Sequence, residues 1–385
     1  MKSNRCRACG SADLALVYDF GPQPLAGAYP LVPQSVAAAN CYPLDFTQCR
    51  NCGLLQVTNL PPIAEVFNED YRYSSSTVPD LLRHFDGYAA WLSERLPAGA
   101  SVLEFGCNDG VLLQRLSRLG YDCTGVDASD NVARIARDKG LQVLTGFLTT
   151  EMVRQHGIAG TFDAVTCSNV FAHIHDIVET TAAVRLLLKP GGLFFIEVHD
   201  GDILASEAHF ETIYHEHLSY FTEGSLRRFT AGQGFEFVEC ERTPMHGGAI
   251  RFCGRVTDSR AAEETLPPPA MLDPARFSDA VSRCAEQVKQ LYGRHGPLQG
   301  YGAAGRAQMF VNMTATGECF SAVYDDSPFR QGRYIVGTDI PIVPWTGEQG
   351  GCCAILAWNY APSISTKLRH SFREIVTFLP EYKVW

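Results

Sequence analysis

From residue 101 to residue 198 short apolar runs alternate with amphipathic segments, and this alternation constrains the fold more than any other feature of the chain. Ser101-Val102-Leu103-Glu104-Phe105 reads as a strand, Gly106 to Gly110 as a turn and 111–119 as a helix. A second strand over 121–126 ends at Asp127, and another follows over 163–167. A helix over 177–188, a turn at Lys189-Pro190-Gly191-Gly192 and a strand over 193–198 complete the pattern. Strands joined through helices lie parallel in one sheet with helices on its faces, so the chain is of the α/β class.

The flanks read differently. Two helices are expected around 63–67 and 78–94, with the polar aromatic loop Tyr71-Arg72-Tyr73-Ser74-Ser75-Ser76 between them as a linker, lid or substrate wall. Strand character returns over 235–239 and 250–256, and a helix over 277–291. A second α/β unit opens at Leu298-Gln299-Gly300-Tyr301-Gly302, with a helix over 306–312 and strands over 323–326 and 353–358. The expected division is a metal module over 1–60, a helical linker and lid over 61–98, a central unit with a catalytic insertion over 99–256, a connector over 257–297 and a C-terminal Rossmann-like unit over 298–385.

A chain of 385 residues, 46% hydrophobic, supports such a division and a sizeable core. Its 32 Lys and Arg against 42 Asp and Glu, net charge −10, disfavour nucleic acid as a partner, although one pocket can still hold a diphosphate. The start Met1-Lys2-Ser3-Asn4-Arg5-Cys6 lacks an apolar signal core, and no run approaches about 18 apolar residues, so a cytoplasmic protein without membrane contact is expected.

Among 14 cysteines, Cys6-Arg7-Ala8-Cys9 and Cys49-Arg50-Asn51-Cys52 stand apart. Each CxxC pair is followed by glycine, and the Pro- and Gly-rich segment between them has little core of its own. Four thiolates suit one tetrahedral Zn²⁺, and no position is left open for a catalytic water, so the ion is structural. Scattered free thiols or a redox pair explain the doubled spacing less well. Cys41 falls outside both pairs.

In Glu104-Phe105-Gly106-Cys107-Asn108-Asp109-Gly110 the glycines let a strand-to-helix turn approach a ligand, with the helix N-terminus behind it. The GxxxG spacing lacks the extra glycine that GxGxxG sets against a pyrophosphate, so an adenosine ligand without one fits better. Asp127 ends the second strand, where a carboxylate can accept both ribose hydroxyls. With the acid before the turn these features favour S-adenosylmethionine over NAD, and Phe147 after the third strand is placed to cover adenine.

Chemistry collects further on. Ser168-Asn169-Val170-Phe171-Ala172-His173 follows the fourth strand, at the ligand edge of an α/β sheet. Tyr214-His215-Glu216-His217 joins two imidazoles, a carboxylate and a phenol. An H-x-H pair can bind metal, but no further ligands have matching spacing, so acid–base work is preferred: a histidine removes a proton, Glu216 fixes a tautomer and Tyr214 donates to an enolate oxygen. His246-Gly247-Gly248-Ala249-Ile250-Arg251 adds a close backbone approach and a guanidinium suited to phosphate, or to a plain salt bridge.

This ordered set of Cys6/Cys9/Cys49/Cys52, the 104–110 turn, Asn169–His173, Tyr214–His217, His246-Gly247-Gly248 and Gly300-Tyr301-Gly302 resembles the sugar C-methyltransferases of deoxysugar biosynthesis along nearly the whole chain. The resemblance implies a zinc module, a class I S-adenosylmethionine core of Rossmann type holding the cofactor with Glu104, Gly106, Asn108, Gly110, Asp127, Phe147 and Asn169, and a C-terminal Rossmann-like domain. It implies a nucleotide-linked ketosugar as partner, methylated at C3 of a dTDP-4-keto-deoxysugar. His217 corresponds to the family's favoured base and Tyr214, Glu216 and His173 to its companions; Tyr71, Tyr73, His246 and Arg251 are the candidates for binding substrate. The chain departs from the family pattern at Cys107 and at Glu197-Val198-His199-Asp200, where an apolar or Pro-containing strand end is more usual. The competing readings are O- or N-methylation of a small metabolite, an NAD-linked oxidoreductase, and a zinc-scaffolded interaction protein; oligomeric state has no signature in the sequence.

Overall fold

The computed structural model describes residues 3–35, 39–62, 65, 79–257 and 266–385. Tyr71, Tyr73 and the helix expected over 63–67 lie outside the described residues, Glu65 excepted.

The alternation of 101–198 forms the middle of a seven-stranded sheet in the order Phe235–Thr243, Ala249–Val256, Leu188–His199, Phe162–Ser168, Ser101–Phe105, Asp122–Asp127, Gln142–Thr145. Ala249–Val256 runs antiparallel to both its neighbours, while the strands from Leu188–His199 to Gln142–Thr145 pair in parallel. This is the class I methyltransferase arrangement of the Rossmann type. The turn expected at 189–192 is a bulge inside a longer strand: between Phe162↔Leu188 and Ala164↔Leu193 the register jumps, and Gly191 takes φ 74° to absorb the extra residues.

The helix Val111–Arg118 buries Val111, Leu112, Leu113 and Leu116, the i, i+1, i+2, i+5 face that its sequence presents to the sheet. Pro79–Ser93 packs beside it, bringing Leu81, Phe85, Tyr88, Ala89 and Leu92 into the same core as Trp91.

The N-terminal sheet is antiparallel, Leu14–Pro24, Cys41–Cys49, Leu55–Val57, and closes with Ser219–Tyr220 from the central unit. A second seven-stranded sheet ends the chain, with a parallel middle of Pro341–Val343, Phe320–Tyr324, Leu298–Tyr301, Gly350–Ile355 and Phe372–Thr377 and short antiparallel edges. The helix Ala275–His295 buries Phe277, Ala280, Cys284, Val288 and Leu291 along one stripe. That stripe belongs to a core shared by the N-terminal sheet and the C-terminal unit, in which Phe46 meets Phe277 with ring centroids 5.5 Å apart. No helix of the described residues is long and apolar enough to cross a membrane.

Candidate active site

The turn expected to hold the methyl donor follows from backbone shape. Gly106, Asn108 and Gly110 have φ of 64°, 50° and 78°, left-handed values open to glycine and tolerated by asparagine. A Cβ on Gly106 would lie 2.2 Å from Val170 Cγ2, so the turn packs directly on the loop that leads to His173. Asp127 accepts from the Asn108 amide at 2.8 Å and the Ser129 amide at 2.9 Å, tying the second strand end to the turn. Asn169 also takes a left-handed φ, 55°, while its amide donates to the Glu197 carbonyl at 2.8 Å. Phe147 is 64% exposed, a surface ring able to cover a planar ligand.

Two of the candidate histidines come together at the C-terminal ends of this sheet's strands. His173 and His217 lie with ring centroids 4.7 Å apart, and the Tyr214 ring stacks on His217 at 4.0 Å. His173 Nδ1 donates to the Glu216 carbonyl at 2.6 Å and His217 Nδ1 to the Thr212 carbonyl at 3.0 Å, so both rings carry their proton on Nδ1. His217 Nε2 therefore accepts from the Tyr214 hydroxyl, at 2.8 Å. Burial pushes the proton affinity of both imidazoles down, further for His217, to which the neighbouring His173 adds.

Glu216 differs from its expected role. Its Oε1 accepts from the Gly27 amide at 2.7 Å, and the tautomers are fixed by backbone carbonyls instead. His215 turns the other way, toward the carbonyls of Tyr42 and Pro43, so the two histidines of the H-x-H pair do not share a face. Arg251 is buried against Glu197, Nε to Oε2 2.8 Å, with its guanidinium 4.8 Å over Tyr88; of the two readings its sequence allowed, the geometry matches the salt bridge and not a phosphate contact. Glu197 also accepts from His84 at 2.7 Å and Ser168 at 2.6 Å, and this closed network braces the strand ends behind the site. His246, at φ 53°, offers its carbonyl to Arg306 at 2.6 Å.

Comparison with known proteins adds the family. In chain order the sequence matches models of a zinc binding domain over residues 6–67, a methyltransferase domain over residues 81–240 and a C-methyltransferase C-terminal domain over residues 254–380. It is 31% identical to C-methyltransferase NovU of Streptomyces niveus over 94% of this chain and 91% of that protein. The chain belongs to the C-methyltransferase family.

Other similarities to this C-methyltransferase are partial. Ubiquinone biosynthesis O-methyltransferase of Xanthomonas axonopodis pv. citri is 38% identical over 28% of this chain and 46% of that protein. The solved structure of 1,6-didemethyltoxoflavin-N1-methyltransferase from Burkholderia thailandensis has a TM-score of 0.37 at 21% identity, covering 45% of this chain and 78% of that one. The PH0226 protein of Pyrococcus horikoshii OT3 has a TM-score of 0.42 at 16% identity, over 50% of this chain and 100% of that one. The family resemblance read from the ordered motifs is borne out, and the oxidoreductase and scaffold readings give way to an S-adenosylmethionine-dependent methyltransferase.

The residues of this C-methyltransferase fit both expected groups. S-adenosylmethionine supplies an electrophilic methyl on a sulfonium. Glu104, 3% exposed, keeps one carboxylate oxygen buried without a partner, and burial beside Asp127 holds its proton affinity well above the usual carboxylate range. Such a group calls for a donor from a bound ligand. In the metal module the sulfurs of Cys6, Cys9, Cys49 and Cys52 lie within 4.8 Å of one another, Cys6 to Cys52 at 3.4 Å and Cys9 to Cys49 at 3.6 Å. Tetrahedral zinc with sulfur at about 2.3 Å separates its ligands by roughly 3.8 Å, so the four thiols fit. Gly10 and Gly53, at φ 72° and 80°, give the tight turns after each pair.

Sequence reasoning missed several neighbours of the site: Gly27, His199, Glu211, Arg306 and Trp358. For Arg306 a signal existed. It is the second residue of the helix Gly305–Met313, where a cation opposes the helix dipole and so calls for another reason to be there.

Proposed function

We propose that the chain transfers a methyl group to C3 of a dTDP-linked 4-keto-deoxysugar through an enolate formed by His217, as a step of deoxysugar biosynthesis. The observation that carries this reading is the His217 dyad: Nδ1 is committed to a backbone carbonyl and Nε2 to the Tyr214 hydroxyl, so one lone pair and one mobile donor face the same place. A 4-keto group acidifies the adjacent carbon. As the acceptor enters, the Tyr214 hydroxyl leaves Nε2 for the substrate, the lone pair takes the C3 proton, and the carbon that results is nucleophilic. The low proton affinity of His217 keeps it in the basic form at neutral pH. His173 lies edge-on against the His217 ring. Glu104, Gly106, Asn108, Gly110, Asp127, Phe147 and Asn169 hold the methyl donor in this reading. His246, with Tyr71 or Tyr73, meets the sugar, and the nucleotide-linked ketosugar is the small-molecule partner. Fourteen unbridged cysteines suit a reducing, cytoplasmic setting.

The test is solvent exchange. With S-adenosylhomocysteine present, wild-type protein in D2O is expected to deuterate a dTDP-4-keto-6-deoxyglucose probe at C3, and a folded His217→Ala protein to lose that exchange by at least about 100-fold. Wild-type exchange in the variant removes His217 as the base. NMR of the methylated product, showing the new methyl on oxygen, removes the carbon reading altogether.

A further inference from the structure

The catalytic pair holds acceptors where the reaction develops negative charge. With both Nδ1 protons given to carbonyls, neutral His173 and His217 carry unprotonated Nε2 atoms. That suits proton abstraction and leaves the Tyr214 hydroxyl as the one donor this cluster offers the oxygen that becomes anionic when the C–H bond breaks. Such an oxygen needs donors already in place.

Donors without a partner lie close enough to act on His217 by their charge. Arg306 gives Nη2–H to the His246 carbonyl at 2.6 Å, and its guanidinium stands 5.5 Å over the Trp358 ring. Its Nη1 is buried and makes no hydrogen bond, with the Glu211 carboxyl 3.9 Å away. Glu211 already accepts from Trp358 Nε1 at 2.9 Å, and burial raises its proton affinity, so it leaves the guanidinium charge incompletely matched. Both ring nitrogens of His199 are likewise buried without a partner, at the C-terminal end of a strand that pairs with the strand leading to His173. Gly305 carries Arg306 to the place: a Cβ there would lie 3.7 Å from Tyr214 Cζ and 3.3 Å from Ala26. The charge of Arg306 also reaches His217 and His199, where it opposes protonation.

We propose that Arg306, assisted by His199, binds the acceptor oxygen that turns anionic during methyl transfer, so that the C-terminal unit supplies a catalytic residue to the methyltransferase site. This rests on the carbon-methylation reading above. The proton passes to His217 Nε2, the C–H electron pair becomes the carbon–carbon π bond, and the carbonyl π pair moves onto oxygen. That oxygen stays unprotonated between Arg306 Nη1–H and a His199 ring N–H. The carbonyl re-forms as the carbon takes the methyl and the carbon–sulfur pair remains on sulfur.

The full-length protein with S-adenosylhomocysteine, dTDP-4-keto-6-deoxyglucose and D2O tests it. Arg306→Met is expected to slow C3 deuteration and methyl transfer by roughly 100-fold or more while S-adenosylhomocysteine affinity stays within about twofold. Added ethylguanidinium is expected to restore part of the loss, which a merely structural role would not allow. His199→Asn is expected to cost about tenfold in both rates. Wild-type exchange in Arg306→Met overturns the proposal, as does a raised KM with unchanged kcat, which would mean that the guanidinium holds a permanent anion such as the diphosphate. Should that variant lose its thermal transition, Arg306→Gln, which removes the charge, replaces it, and exchange unchanged from wild type there overturns the proposal equally. No exchange in the wild-type protein overturns the carbon-acid reading and this inference with it; exchange in wild type that persists in the Arg306 variants overturns this inference alone.

Discussion

The role of base proposed for His217 rests on what surrounds it rather than on its type. Burial and the adjacent His173 depress its proton affinity well below the ordinary histidine value, and His199 is depressed similarly. A base that stays neutral has a flat pH dependence, so kcat/KM is expected to hold level from pH 8 down through 6.5; a rate profile with its acid limb at 6.5 or above contradicts this. The same groups govern acid stability. Unfolded histidines bind protons near pH 6.5, whereas folded His209 and His246 do so only at about 3. The unfolded state therefore takes up more protons as pH falls below 6.5, and urea midpoints are expected to drop between pH 7 and pH 5. Tyr214→Phe frees His217 Nε2 but removes the donor; methyl transfer is expected to fall about tenfold or more, read as kcat, with S-adenosylhomocysteine affinity unchanged. At this scale the residues were legible in sequence because the Tyr-His-Glu-His motif sits in one stretch. Their partners were not: Glu216 meets Gly27, and Arg251 turns inward to Glu197, contacts between segments far apart in the chain.

Among elements, the loop proposed to be catalytic is the one most dependent on others. It runs from the short helix Phe210–Thr212 to the strand Ser219–Tyr220, and that strand pairs with Leu55–Val57 of the metal module. The methyl-donor turn sits instead on the central sheet. Removing zinc by chelation, or by Cys49→Ser, is expected to abolish methyl transfer while calorimetry still registers S-adenosylhomocysteine binding; loss of both would mean that the metal supports the whole chain. A finer test lies in the turn. Gly106→Ala would place a Cβ against Val170 in a left-handed conformation, expected to cost about 1–3 kcal/mol of stability by thermal or urea unfolding. Elements with strong periodicity, such as Val111–Arg118 and Ser101–Phe105, were read from sequence to within a residue or so. Arg333–Tyr334, Lys383–Val384 and Ser219–Tyr220 were not, because a two-residue strand has no period and exists only through its distant partner.

Over the whole molecule, the candidate site lies where three sheets meet. One apolar core contains Val17, Leu44 and Phe46 of the N-terminal sheet together with Phe277, Phe310 and Val323 of the C-terminal part. Calorimetry is expected to show these two parts unfolding in a single transition that moves down on chelation of zinc; a C-terminal transition indifferent to chelator contradicts it. Motifs and periodicity suggested a division into parts but not that the first and last share a core, since hydrophobic periodicity tells which face is buried and not against what. The segment around Ala26 and Gly27 passes between them, giving an amide to Glu216 and a carbonyl to Gln308 at 2.8 Å. For anyone building chimeras, this places the seam away from the linear boundary near residue 257. A C-terminal unit grafted from a relative brings a foreign helix start against a resident loop, so the transplant works as a matched pair, the loop around Ala26 travelling with the helix Gly305–Met313.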